Sequence, residues 1–178
     1  MERVEVLLTE AEVNKRIAEI GEQISKDYEG KCVHLICVLK GGAPFMCELA
    51  KRITCDVSLD FMSVSSYGGG TASSGVVKIV KDLDEPLEGK DVIIVEDIID
   101  SGRTLSHLLE IFKQRNPASI RLCTLLDKPD RRVVESVTRR DVCSTCTCSF
   151  VTNNVTWREF TITCSVVIKV FYTHFVSI

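Results

Sequence analysis

Residues 92–104, reading VIIVEDIIDSGRT, constrain the fold more than any other stretch of this chain. An apolar run, Val92 to Val95, passes directly into two adjacent carboxylates, Glu96 and Asp97. Two isoleucines and a third carboxylate, Asp100, follow, and Ser101-Gly102-Arg103-Thr104 then opens an amphipathic segment. An apolar run without polar alternation is the mark of a strand covered on both faces. The Ser-Gly-x-Thr turn at the mouth of a helix offers backbone N–H groups and two hydroxyls to an anion. One loop thus carries acids suited to sugar hydroxyls or Mg²⁺ beside donors suited to phosphate. A ligand that is both sugar and phosphate satisfies it.

The rest of the chain repeats the alternation of apolar runs and amphipathic segments. Thr9 and Glu12 have the spacing of a capping box, and Val13, Ile17, Ile20 and Ile24 recur at helical spacing, which predicts a helix ending near Gly30. Val33–Leu39 reads as a short buried strand broken by Lys40-Gly41-Gly42, and Pro44 suits the first turn of a helix reaching about Arg52. Strands are predicted over 57–65 and 76–80, joined by the polar glycine-rich loop 66–75. Further strands are predicted over 91–96 and 120–126, with a helix from Arg103 to about Gln114 between them, its Leu105, Leu108, Leu109 and Phe112 on one face. Strands alternating with helices imply an α/β fold, a central parallel sheet flanked by helices with right-handed crossovers. Ligands are expected at the carboxyl ends of its strands.

At 178 residues the chain is long enough for one such domain. Its net charge of −3 offers no basic footprint for nucleic acid, and its start shows no apolar segment of a signal or membrane-spanning kind. Nine cysteines without a secretion signal read as reduced thiols in the cytoplasm, several of them acting as small buried hydrophobes. Residues 141–178 stand apart. They hold no glycine, no proline and only four charged residues, so they lack the punctuation that turns require. The chain accordingly divides into a core, 1–140, and a C-terminal tail of anomalous composition, 141–178.

The pattern strand, Glu-Asp, two apolar residues, Asp, Ser/Thr-Gly-x-Thr resembles the phosphoribosyl-pyrophosphate (PRPP) motif of the type I phosphoribosyltransferases. From about residue 5 to about residue 132 the chain is similar to the hypoxanthine-guanine members of that family. The resemblance implies the family's fold with a flexible hairpin lid, and purine salvage as the activity: PRPP and a 6-oxopurine, hypoxanthine or guanine, give IMP or GMP and pyrophosphate. It implies Mg²⁺ as cofactor and a homo-oligomer, dimer or tetramer. Lys40 and Gly41 would form the pyrophosphate loop, following a peptide that is often cis. Ser66 and Tyr67 would begin the lid, which excludes water from an oxocarbenium-like centre. Glu96 and Asp97 would hold the ribose hydroxyls and contribute to the Mg²⁺ site. Asp100 would be the general base near purine N7, and Asp100 with Ser101, Gly102, Arg103 and Thr104 would wrap the 5′-phosphate. Lys128 would donate to the exocyclic O6 and so favour a 6-oxopurine over adenine. Taken singly, Lys40-Gly41-Gly42 is an ordinary turn and Lys128 a surface lysine; the four elements together carry the reading.

The resemblance stops near residue 132. The family's next segment presents a stacking aromatic, a Gly-Tyr-Gly-Leu-Asp-Tyr-like run whose aspartate completes the metal site, and an arginine for pyrophosphate. Nothing after Val133 matches it, so no functional residue is assigned to the tail, which reads as a replaced segment of the kind out-of-frame translation produces. Phe150 and Trp157 are aromatics at unrelated positions. Cys143, Cys146 and Cys148, with Cys164 and His174, are poorly spaced for structural zinc and read as chance clustering. Two alternatives stay open: a non-catalytic PRPP- or nucleotide-binding regulator, and an enzyme inactivated by its altered C-terminus.

Overall fold

The computed structural model describes residues 8–66, 77–134 and 142–147. Helix α1, Glu10–Asp27, begins where the capping pattern places it. The Glu12 N–H donates to Thr9 Oγ1 at 3.3 Å while the Thr9 N–H donates to Glu12 Oε2 at 2.8 Å, satisfying two end amides reciprocally. Its apolar stripe, Val13, Ile17, Ile20 and Ile24, is buried. Strand β1 (Cys32–Val38) follows, then α2 (Ala43–Ala50), β2 (Asp56–Ser66), β3 (Val77–Lys81), β4 (Asp91–Ile99), α3 (Arg103–Lys113), β5 (Ser119–Asp127), a single 3-10 turn at Pro129–Arg131, and β6 (Val142–Thr147).

The six strands form one sheet in the order β3-β2-β1-β4-β5-β6. β1 pairs in parallel with β2 and β4, and β5 in parallel with β4 and β6; β3 runs antiparallel to β2 as a hairpin partner. Buried residues from α1 and α2 pack on one face against Val33, Leu35, Ile93 and Val95. On the other face Leu105, Leu108, Leu109 and Phe112 of α3 pack against Ile36, Val38, Val92, Ile94 and Leu122. Covering both faces is why the central strands are apolar without alternation.

One expectation needs correction. Strand β4 runs three residues beyond Glu96, because Ile98 and Ile99 continue the ladder opposite Leu126 and Asp127 of β5. Asp97 therefore belongs, with Glu96, to the strand end rather than to a loop. The tail, given no element from its sequence, contributes β6, whose register against β5 shifts between Leu122 and Thr124.

The chain order creates the feature that positions the site. From β1 it passes through α2 to β2 on one side; from β4 it passes through α3 to β5 on the other. β1 and β4 lie side by side, so the connections diverge above their carboxyl ends, the place where open α/β sheets bind ligands.

Candidate active site

Above β1, the Leu39–Lys40 peptide is cis, as the resemblance implied. Lys40 is exposed, Gly41 follows, and Gly42 caps α2, with Pro44 in the first turn. The two glycines are needed for close approach to β4. A Cβ on Gly41 would run into the Asp97 carboxylate, 2.8 Å from its Cγ. One on Gly42 would sit 2.9 Å from the Val95 carbonyl oxygen and 3.1 Å from Cys37 Sγ. The turn after β1 thus lies directly against the acids at the end of β4.

Both acids are desolvated although each stays partly exposed. Burial, and then the neighbouring Asp97, pushes the Glu96 carboxyl up to about 8. Burial also raises Asp97, opposed by the Ile98 N–H, which donates to Asp97 Oδ1 at 2.8 Å. Beneath them the Cys37 thiol is pushed up to about 12 by burial and by both carboxyls, so it is a packing group and not a nucleophile. Among the described residues no cation acts on either carboxyl, and no group of three or more His, Cys, Asp or Glu gathers as a preformed metal cage.

The phosphate turn follows β4. Gly102 is the N-cap of α3 with φ 79°, a left-handed conformation that side chains strain to adopt. The Arg103 N–H donates to Ser101 Oγ at 3.5 Å, and the first helical bond runs from the Ser106 N–H to the Gly102 carbonyl at 2.9 Å. The amides of Thr104 and Leu105 precede that bond and have no carbonyl within the helix to donate to. They present the positive end of α3 to an anion.

Lys128 stands at the end of β5, beside the same turn, its N–H donating to the Ile99 carbonyl at 3.0 Å. The Val133 and Val134 N–H groups donate to the Ser101 carbonyl at 3.0 and 3.4 Å. The Asp100 carboxylate accepts from Arg131 Nε at 3.5 Å, and the Arg132 guanidinium pairs with Asp127. Arg131 was not singled out from sequence. Pro129 hints at a turn after Lys128, but only the folded chain shows that this turn reaches Asp100.

The structure therefore brings Lys40, Gly41, Glu96, Asp97, Asp100, Ser101, Gly102, Arg103, Thr104 and Lys128 to the carboxyl ends of three adjacent strands. Ser66 ends β2, where its backbone pairs with Val77. Tyr67 lies outside the described residues, as do Cys148, Phe150, Trp157, Cys164 and His174.

Residues 4–169 match the family model described as the phosphoribosyl transferase domain. The chain belongs to that family. The model reaches past residue 132 into the tail, whereas a hypoxanthine-guanine phosphoribosyltransferase of Streptococcus thermophilus aligns over 130 residues. That relative is 53% identical, the match covering 73% of this chain and 72% of the relative. Two solved structures are similar. A hypoxanthine phosphoribosyltransferase of Staphylococcus aureus has TM-score 0.71 at 49% identity, covering 73% of this chain and 71% of its own. A hypoxanthine-guanine phosphoribosyltransferase of Bacillus anthracis has TM-score 0.71 at 45% identity, covering 75% and 79%. The central parallel sheet flanked by helices is thus the phosphoribosyltransferase fold.

Proposed function

We propose that this phosphoribosyltransferase works in purine salvage, transferring the 5-phosphoribosyl group of PRPP to hypoxanthine or guanine to give IMP or GMP and pyrophosphate. The observation that carries the reading is the junction over β1 and β4. There a glycine turn lies close against two desolvated, partly exposed acids, and a left-handed Gly102 opens the amide end of α3.

In this reading Ser101 to Thr104 bind the 5′-phosphate through backbone amides and hydroxyls, and Lys40 and Gly41 bind the pyrophosphate. Purine N9 bonds to C1′ as the C1′–O bond to pyrophosphate breaks, and the bonding pair leaves with pyrophosphate. Asp100 takes the proton that purine N7 gives up, and its charge stabilises the cationic ribosyl centre. Lys128 donates to O6, an interaction the 6-amino group of adenine cannot accept. Ser66 and Tyr67 would begin the segment that keeps water from the ribosyl centre.

Glu96 and Asp97 fit Mg²⁺. Two desolvated oxygen donors, each held above its ordinary pKa, suit a hard cation that keeps several of its waters. When bound, the ion would neutralise charge on the pyrophosphate leaving group. Residues 1–140 would form the catalytic core, with 141–178 a replaced tail that supplies none of the assigned side chains. Among the described residues no helix is long and apolar enough to cross a membrane. A cytoplasmic dimer or tetramer is the setting we propose.

The test is nucleotide formation from PRPP with hypoxanthine, guanine or adenine, with and without Mg²⁺. We expect IMP and GMP, dependence on the metal, and little AMP. Lys128→Ala should erode the discrimination against adenine by roughly tenfold or more, as loss of one hydrogen bond to a charged donor implies. Equal rates with adenine in the unsubstituted chain would overturn the base assignment.

A further inference from the structure

The arginine beside Asp100 has no role in the chemistry described so far, yet the fold holds its backbone over the phosphate turn. After β5 ends at Asp127, the 3-10 turn Pro129–Arg131 folds the chain back over the phosphate turn. The Lys128 N–H donates to the Ile99 carbonyl, on the near side of Asp100, and the Arg131 N–H donates to the Lys128 carbonyl at 3.1 Å. The Val133 and Val134 N–H groups donate to the Ser101 carbonyl, on the far side. Arg132 is tied separately to Asp127. The backbone carrying Arg131 is therefore bonded to the chain on both sides of Asp100, and its Nε lies 3.5 Å from Asp100 Oδ1.

We infer that Arg131 is a positioning residue: it holds one oxygen of Asp100 so that the other faces the purine. A carboxylate alone on its side chain samples several rotamers, and only some present a lone pair to N7. A charge-assisted bond to Oδ1 from a scaffolded guanidinium selects among them. The pair also joins the strand end that carries the acid to the turn that carries Lys128, so the two groups that would meet the base move together. The side chains are 55% and 44% exposed, so the pair contributes little to stability and its role is orientation.

The inference rests on the reading of Asp100 as general base, and the test separates the two. Arg131→Ala, Arg131→Lys, Asp100→Asn and the Arg131→Ala/Asp100→Asn double variant are compared by steady-state kinetics, PRPP calorimetry and thermal melting. Arg131→Ala should lower kcat about tenfold, a misorientation effect, while KM and calorimetric affinity for PRPP stay within about twofold and the melting temperature is unchanged. Arg131→Lys should recover most of the rate. The double variant should be no slower than Asp100→Asn, because a positioning effect of Arg131 on turnover passes through that carboxylate. A slow Asp100→Asn with full-rate Arg131→Ala would overturn the inference, as would a double variant slower by the product of the single effects. Wild-type turnover in Asp100→Asn would overturn the reading of Asp100, and absence of turnover in the unsubstituted chain would overturn both.

Discussion

At the scale of single residues, two adjacent glycines do different work. The methyl group that alanine would add at Gly41 meets the free end of a side chain, the Asp97 carboxylate. At Gly42 it meets backbone, the Val95 carbonyl, with the buried Cys37 sulfur behind. A carboxylate can swing aside, but the backbone of a central strand cannot. Gly41→Ala should therefore leave stability nearly unchanged and weaken PRPP binding about tenfold, roughly 1.4 kcal/mol, by displacing Asp97. Gly42→Ala should cost about 1–3 kcal/mol of folding free energy, as overpacking does. Urea unfolding and PRPP calorimetry on both variants check the contrast, and reversed roles would contradict the packing described. Neither consequence could be read from Lys-Gly-Gly in the sequence, which marks a turn and says nothing of what lies behind it.

At the scale of elements, the local signals were read most accurately. The Thr9–Glu12 box and the spacing of Val13, Ile17, Ile20 and Ile24 defined α1, since both depend on neighbours three or four residues away. The apolar pattern places the end of β4 three residues early, because Ile98 and Ile99 are held as strand by β5, nearly thirty residues later in the chain. His34 is a similar case. A histidine within an apolar strand, it is 2% exposed, with Nδ1 2.7 Å from Ser58 Oγ and Nε2 lacking a hydrogen-bond partner. Nearby Asp60, also buried, accepts from the Phe61, Asp84 and Glu85 N–H groups and so pins the β3–β4 connection to β2. Burial, with Lys90 adding to it, lowers the His34 pKa, against the opposing pull of Asp60 and Glu85.

The sign of the resulting pH dependence follows from proton counting. A histidine with a depressed folded-state pKa binds fewer protons folded than unfolded once the pH drops below its unfolded value, about 6.5. Its contribution to stability is therefore full above pH 6.5 and is lost as pH falls from there through the lower folded-state value. Glu96, held at about 8, gains stability as pH falls through the same window, so the histidine's loss is read as a difference. Between pH 7.5 and 5.5, the melting temperature of His34→Asn should fall less, or rise more, than that of the unsubstituted chain, whatever its effect on absolute stability. An unchanged slope in that variant would remove His34 as the cause.

At the scale of the whole molecule, the site belongs to no single element. PRPP would bridge the turn after β1 and the turn after β4, joining segments that the chain order sends to opposite halves of the sheet. A ligand so placed binds only the folded state. At a hundredfold excess over its dissociation constant it should add about 2.7 kcal/mol, or roughly 5–10 °C in melting temperature for a chain of this size. A melt unmoved by saturating PRPP and Mg²⁺ would argue against that bridge.

The sequence by itself determined the class of fold, the order of elements through β5 and the chemistry available at each strand end. Those properties live in hydrophobic period, capping and turn residues, all set by near neighbours. It also pointed to the family through one junction, where charge, apolar and turn positions had to agree together. Tertiary structure alone decided the sheet order that sets β1 beside β4, the burial that lifts Glu96 and Asp97, the strand character of Ile98 and Ile99, the place of β6, and the meeting of Arg131 with Asp100. Each of these depends on contacts between residues far apart in the chain, and hydrogen bonding and desolvation across such contacts take their values only once the sheet has assembled.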